Sequence, residues 1–172
     1  MASEAESLSR ALLDVWNARD IQAFVDLLHE DILWYDCGMP NPPAQGKAAV
    51  RAFAEATLGG FPDFNYEIRE PICVSEDGRR CVFPWRIRAT ASGWVRPPGF
   101  APTNRSLVFE GMDLMEVREG RIVRIETFFD TAALAEQLLD VKLRPRPGGI
   151  GEQVLVAMQR LRAAWLRRFP RS

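Results

Sequence analysis

The chain has 172 residues, 47% hydrophobic and 26% charged, which suits one globular domain with a well-buried core. Its net charge of −1 offers no bulk electrostatic case for nucleic acid or for an anionic membrane. One histidine, no metal-ligand spacing and no phosphate loop leave acid/base work by carboxylates as the main chemistry open to it.

In chain order, residues 4–17 read as a helix, with Leu8, Ala11, Leu12, Val15 and Trp16 at helical spacing. Asn17 to Asp20 breaks it, and Asp20 suits the N-cap of a second helix carrying Phe24, Leu27 and Leu28. His29 then ends that helix beside Glu30 and Asp31, a solvated place more than a catalytic one. Ile32 to Cys37 is a strand candidate, and Pro40, Pro42 and Pro43 impose a loop. Residues 47–57 form a third helix. The period then changes to two, with strands at about 64–75, 80–91, 104–117 and 121–129. Ser75 to Gly78 and Arg118 to Gly120 read as hairpin turns, the second with a bulge at Gly120. Gly93 to Thr103 is a long loop with three prolines, placed near a pocket mouth. Thr131 to Asp140 is a short helix capped by Asp130. This order is an α+β pattern and not a βαβ one.

The tail differs from the body. Residues 142–172 carry Lys142 and seven arginines against Glu152 alone, about +7, and the rest of the chain carries about −8. Residues 142–150 read as a linker and 151–172 as an amphipathic basic helix, with Val154, Leu155, Met158, Leu161, Trp165 and Phe169 on one side. Such a tail suits docking on an acidic body or a partner subunit better than a membrane surface. Cys37, Cys73 and Cys81 form no C-x-x-C pair, the start MASEAESLSR holds no apolar signal core, and no run reaches the roughly 18 apolar residues of a membrane span. A reduced, cytoplasmic protein is the expectation.

NARDIQAFVDLLHEDILWYDCG, GKAAVRAF, and FEGMDLMEVREGRIVRIETFFD running into TAALAEQL resemble the nuclear transport factor 2-like superfamily. Within it, the chain is most similar to SnoaL-like polyketide cyclases and the ketosteroid isomerase branch, over residues 5–141. The resemblance implies a cone-shaped, curved antiparallel or mixed sheet packed on N-terminal helices, a cystatin-like α+β barrel, here with an extra C-terminal helix. It places the first domain at residues 1–141.

The resemblance also implies site residues. Asp36 in LWYDCG matches the isomerase branch's general base, and Asp113 in GMDLMEV matches its protonated, oxyanion-donating aspartate. That branch's tyrosine on the first helix falls on Leu12. The last-strand aspartate of epoxide hydrolases and cyclases falls on Thr127, and two histidine positions of cyclase-like relatives fall on Ile125 and Ala91. The epoxide hydrolase positions that orient water match Trp34 and Asp36.

Strand parity supports the pair. A bulged turn at 118–120 sets Asp113 opposite Ile125 and Gly111 opposite Thr127. One face then carries Phe109, Gly111, Asp113, Val123, Ile125, Thr127 and Phe129, apolar but for Asp113 and Thr127. The other carries Val108, Glu110, Met112, Leu114, Glu116, Ile122, Arg124, Glu126 and Phe128 and suits a homodimer surface. Arg86 and Arg88 suit pairs with Glu110 or Glu116 across the ladder. Asp36 ahead of Cys37-Gly38 equally suits a turn cap, and Trp34, Tyr66, Trp85 and Phe129 suit either a pocket wall or plain core.

The resulting expectation is a cofactor-independent cyclase, isomerase or dehydratase for a hydrophobic polyketide- or terpenoid-like molecule. Asp36 is the general base, and Asp113 the protonated acid and oxyanion donor. Trp34, Tyr66, Trp85, Thr127 and Phe129 bind substrate. The alternatives are a non-catalytic binding protein, an epoxide-opening hydrolase or cyclase of the same fold, and a dimeric scaffold.

Overall fold

A computed structural model describes residues 3–39 and 42–169. Pro40 and the last three residues of the expected C-terminal segment lie outside them. Helix α1 spans Glu4–Ala18 and opens on Ser3, whose hydroxyl accepts from Glu6 N at 3.1 Å. It buries Ala5, Leu12, Leu13 and Trp16 and stops at Arg19, in left-handed backbone. Helix α2 (Ile21–Asp26) is capped by Asp20, whose carboxylate accepts from Ala23 N at 2.8 Å. It is shorter than its apolar pattern suggests. Leu27 caps it, and Leu28 opens strand β1 (Leu28–Asp36), which also takes His29 out of any helix end. A short apolar run fits either period, and here the strand claims it.

Strand β2 (Ala44–Gln45) and helix α3 (Gly46–Gly60) follow. The expected strand at 64–75 is two pieces, β3 (Asn65–Ile68) and β4 (Cys73–Val74). Pro71 lies between them and has no N–H to give a ladder. Strands β5 (Arg80–Thr90), β6 (Ser106–Arg118) and β7 (Arg121–Phe129) form the long meander, and helix α4 (Thr131–Leu139) closes it.

The sheet runs β2-β1-β7-β6-β5-β3, with β4 also on β5. Only β1 and β7 pair in parallel. The architecture is the expected α+β one, but the sheet is curved and open-ended, so the barrel is not closed. Its concave face packs on the N-terminal helices through Leu12, Trp16, Phe24, Ile32, Val50, Phe83 and Met115, all buried.

The β6–β7 register differs from expectation by two residues. Glu119 and Gly120 both have positive φ (54° and 71°), a two-residue turn that pairs Arg118 with Arg121. The extra residue is instead Val123, between the pairs Val117–Ile122 and Glu116–Arg124. Asp113 therefore faces Thr127, and Gly111 faces Phe129. A two-residue shift keeps side-chain parity, so the inner face keeps Asp113, Ile125 and Thr127. The bulge swaps the turn-proximal pair: Ile122 is fully buried, and Val123 is only half-buried.

Outside, Val108, Met112 and Phe128 are exposed. Arg86 pairs with Glu110 at 2.6 Å as expected, whereas Arg88 pairs with Glu67 on β3 at 2.9 Å. Exposed pairs like these contribute about 0–1 kcal/mol each.

The chain divides into two compact units, Met1–Leu139 and Asp140–Ser172. The second holds α5 (Ile150–Arg168), on which Ile150, Leu155, Met158, Leu161 and Trp165 are exposed and Arg162 lies 4.4 Å over the Trp165 ring. No helix among the described residues is long and apolar enough to cross a membrane.

Two glycines set the cavity walls. A Cβ on Gly93 would lie 1.8 Å from Gly59 O, so only glycine lets the 93–103 loop seat against the end of α3, where Gly93 N donates to Gly60 O at 3.0 Å. A Cβ on Gly111 would meet Phe128 O at 2.4 Å and the Trp85 ring at 2.5 Å. Trp85 thus lies in the space that Gly111 leaves. Gly→Ala in a strand ordinarily gains about 0.5–1 kcal/mol. Gly111→Ala is expected instead to lose about 1–3 kcal/mol in urea denaturation, because Trp85 has to move. Unchanged or raised stability would contradict this packing.

Candidate active site

The ladder registers place Asp36, Thr127, Asp113 and Phe83 in one row across β1, β7, β6 and β5. All four are buried on the concave face. Strands lie about 4.8 Å apart, so the Asp36 and Asp113 backbones are about 10 Å apart. The next row holds Phe129, Gly111 and Trp85, and Tyr66 reaches in from β3 beside Ile87.

These side chains border a cavity of about 610 Å³. Trp16, Trp34, Phe53, Phe61, Phe64, Tyr66, Trp85, Phe109 and Phe129 supply most of its wall, and Val95 to Pro98 and Phe100 come from the 93–103 loop. That places the proline-rich loop at the pocket, as the sequence suggests. Asp36 is the only carboxylate among the described lining residues, and Arg96 the only cation. Trp16 Nε1 is buried without a hydrogen-bond partner, edge-on to Phe24 and Trp34. Among the described residues, no group of three or more His, Cys, Asp or Glu could hold a metal ion.

Asp36 is 9% exposed, and its Oδ1 accepts from Gly38 N at 2.7 Å. The turn-cap alternative is therefore realised together with the cavity position. Burial pushes the Asp36 carboxyl up to about 7, against the Gly38 N–H, and the nearby Asp113 charge adds to the rise.

Asp113 is placed differently from expectation. It is fully buried and does not border the cavity. Its Oδ2 accepts from the Tyr66 hydroxyl at 2.5 Å, and its Oδ1 from Trp85 Nε1 at 2.9 Å. Thr127 bonds to it as well. Thr127 Oγ1 accepts from Trp34 Nε1 at 3.1 Å, which leaves its own proton for Asp113. Burial pushes Asp113 up to about 6, and the three donors hold it from rising further. Burial thus pushes both carboxyls, and not Asp113 alone, toward the protonated form. Burial and Asp113 push the Tyr66 hydroxyl well above its ordinary range, so it stays a donor.

Trp34, Tyr66, Trp85, Thr127 and Phe129 all border the cavity. Sequence reasoning missed that Tyr66, Trp85, Thr127 and Trp34 form one hydrogen-bonded cluster around Asp113. The signal was the register, which places Thr127 beside both aspartates. It also missed Arg96, and Leu134 and Leu138 from α4. Leu12, Ala91 and Ile125, at which the resemblance leads one to expect tyrosine or histidine, are buried apolar residues.

The SnoaL-like domain family model matches residues 9–125. No curated protein matches the sequence. Among solved structures, AclR of Streptomyces galilaeus, a hydroxylase candidate, is 21% identical, with TM-score 0.69 over 100% of both chains. A candidate SnoaL-like polyketide cyclase from Jannaschia sp. CCS1 is 16% identical, with TM-score 0.70 over 82% of this chain and 96% of its own. TerC, crystallised with polyporic acid, is 20% identical, with TM-score 0.63 over 80% and 99%. At these identities the likeness speaks for the fold.

The raised carboxyls have a consequence for stability. Folded Asp36 and Asp113 hold protons to about 7 and about 6, above the ordinary 3.8 of each. Between those values the native chain binds more protons than the unfolded one, so stability falls as pH rises from about 4 to 7. Asp36→Asn is expected to flatten the upper part of that decline in chemical denaturation across this range. An identical pH profile for the variant would contradict the burial of an ionisable Asp36.

Proposed function

Because the chain belongs to the SnoaL-like domain family, we propose that it is a cofactor-independent acid/base enzyme, a cyclase, isomerase or dehydratase, for a hydrophobic, carbonyl-bearing small molecule. The observation that carries this reading is Asp36: a lone carboxylate on an aromatic cavity wall, with its proton affinity raised to near neutrality. A general base works best when its pKa lies near the working pH. Ionised Asp36 takes a proton from a carbon next to the carbonyl, or from a hydroxyl, and can return it elsewhere on the same molecule. The negative charge that develops on the carbonyl oxygen is met at the polar cluster around Asp113, the acid end of the site.

The cavity volume, about 610 Å³, lies within the range of small-molecule sites. Its aromatic wall supports a ring-bearing, polyketide- or terpenoid-like ligand, in keeping with TerC's polyporic acid and the candidate polyketide cyclase among the fold neighbours. Exposed Val108, Met112 and Phe128 on the outer sheet face support a homodimer, and the free Cys37, Cys73 and Cys81 support a reducing, cytoplasmic setting.

A second reading, a non-catalytic binding protein, is favoured by the apolar residues Leu12, Ala91 and Ile125 at positions where the resemblance leads one to expect polar groups. One experiment separates the two. A panel of hydrophobic ketones is incubated with the protein in D₂O, and mass spectrometry follows deuterium uptake next to the carbonyl. Ketones that bind are expected to exchange above the solvent rate, and Asp36→Asn to slow that exchange about 10²–10⁴-fold with binding retained. Binding without exchange in the parent protein would favour the second reading.

A further inference from the structure

Asp113 presents a geometric problem for the site just described, and its solution rests on that acid/base reading. The carboxyl is fully buried and does not border the cavity, so it cannot touch a substrate. Tyr66 does border the cavity, and its hydroxyl lies 2.5 Å from Asp113 Oδ2. We propose that Tyr66 is the group that hydrogen-bonds the substrate oxygen, and that Asp113 acts only through it, as the proton source behind the tyrosine.

The proton inventory permits this. Trp85 Nε1 is a donor only, so Asp113 Oδ1 is always an acceptor. Oδ2 and the Tyr66 oxygen can each give or take. With Asp113 ionised, Tyr66 turns its proton back to Oδ2 and offers the cavity nothing. With Asp113 protonated, Oδ2–H donates to the Tyr66 oxygen, and the Tyr66 proton is free to point at the ligand. In turnover, Asp36 removes a proton from carbon and the carbonyl oxygen gains charge. That oxygen accepts the Tyr66 proton while Asp113 passes its own to Tyr66. The product is the neutral enol, Asp36 is protonated, Asp113 is ionised, and no proton is gained or lost overall. Tyr66, Trp85 and Thr127 then hold the new carboxylate with three hydrogen bonds. Return of the Asp36 proton to another carbon reverses the relay.

The titratable groups facing Asp113 are few. Asp36 and Cys37 come from the end of β1, Tyr66 from β3 and Cys81 from β5. Burial raises both thiols, Cys81 to about 11, so they stay neutral. The buried side of α1 brings Ser9, Leu12, Leu13 and Trp16, none of them ionisable. Among the described residues, no cation contributes to the shift of either carboxyl. The cavity oxygen site is therefore switched by one proton on Asp113, and the relay needs the two carboxyls to hold a single proton between them. A substrate oxygen that accepts from Tyr66 favours the placement of that proton on Asp113.

The test uses 2,4-dinitrophenol, a coloured phenolate throughout about pH 5–8, as a stand-in for the enolate oxygen. It is titrated into full-length Asp36→Asn, so that the Asp36 charge does not vary. Arg96 at the cavity acts alike in every variant. Phenolate affinity is expected to fall as pH rises through the Asp113 ionisation, because Tyr66 turns away. Adding Tyr66→Phe should weaken binding about tenfold or more at the acidic end and remove the pH dependence. Adding Asp113→Asn instead places an amide N–H behind Tyr66, so binding should stay tight and lose its pH dependence. Equal affinity in the Tyr66→Phe protein would overturn the inference, as would an unchanged pH profile with Asp113→Asn. If the Asp113 variant does not fold, the tyrosine variant decides alone. No phenolate binding in any form would also overturn it, while ketone exchange by the parent protein would leave the role of Asp36 intact.

Discussion

Two carboxyls on one row of a buried sheet face are the constraint around which this structure is arranged. Removing a carboxylate from water is costly unless hydrogen bonds replace the lost solvent. The protein meets that cost unequally. Asp113 receives Tyr66, Trp85 and Thr127, and Thr127 in turn receives Trp34. Asp36 receives one backbone N–H, from Gly38. Four aromatic or hydroxyl side chains from four strands thus fix one another through a single carboxyl. Gly111 is part of the same arrangement, since its missing side chain admits the indole that reaches Asp113. The less satisfied carboxyl is the one at the cavity, and that is where reactivity is to be expected.

Most of the fold was legible because its periods are clean. The helices at 4–18 and 46–60 and the long strands β5, β6 and β7 follow their apolar spacing closely. The misreadings have local causes. Leu27 and Leu28 fit either period, and Pro71 divides a run that alternates on both sides of it. At the last hairpin, the turn residues suggested a bulge, but the bulge sits three residues on, at Val123. The two-residue error preserved parity beyond the bulge, which is why Asp113, Ile125 and Thr127 were placed on the inner face although each pair was wrong and Ile122 and Val123 were exchanged.

The site was legible only residue by residue. Asp36, Asp113, Trp34, Tyr66, Trp85, Thr127 and Phe129 were all singled out, yet their grouping was not. Sequence spacing shows which face a side chain takes, not how far inside that face it ends. Asp113 and Tyr66 share a face of the sheet and a hydrogen bond, but of the two only the tyrosine borders the cavity. That depth difference changes the chemistry: the aspartate becomes a proton store, and the tyrosine the contact. The apolar Leu12 leaves no oxyanion tyrosine on the first helix, and Tyr66 supplies a hydroxyl from the sheet instead.

The central claim is that burial holds the protons of two carboxyls on one sheet face far above the ordinary carboxylate range. Carboxyl-carbon NMR titration of selectively labelled aspartates tests it most directly. The account predicts that Asp36 and Asp113 titrate far above the ordinary carboxylate range, near 7 and near 6, and that replacing Asp113 by Asn lowers the midpoint of Asp36. Independent titration of both near 4 would contradict it, because the aspartates would then be solvated and unable to hold a proton at the pH where the site has to work.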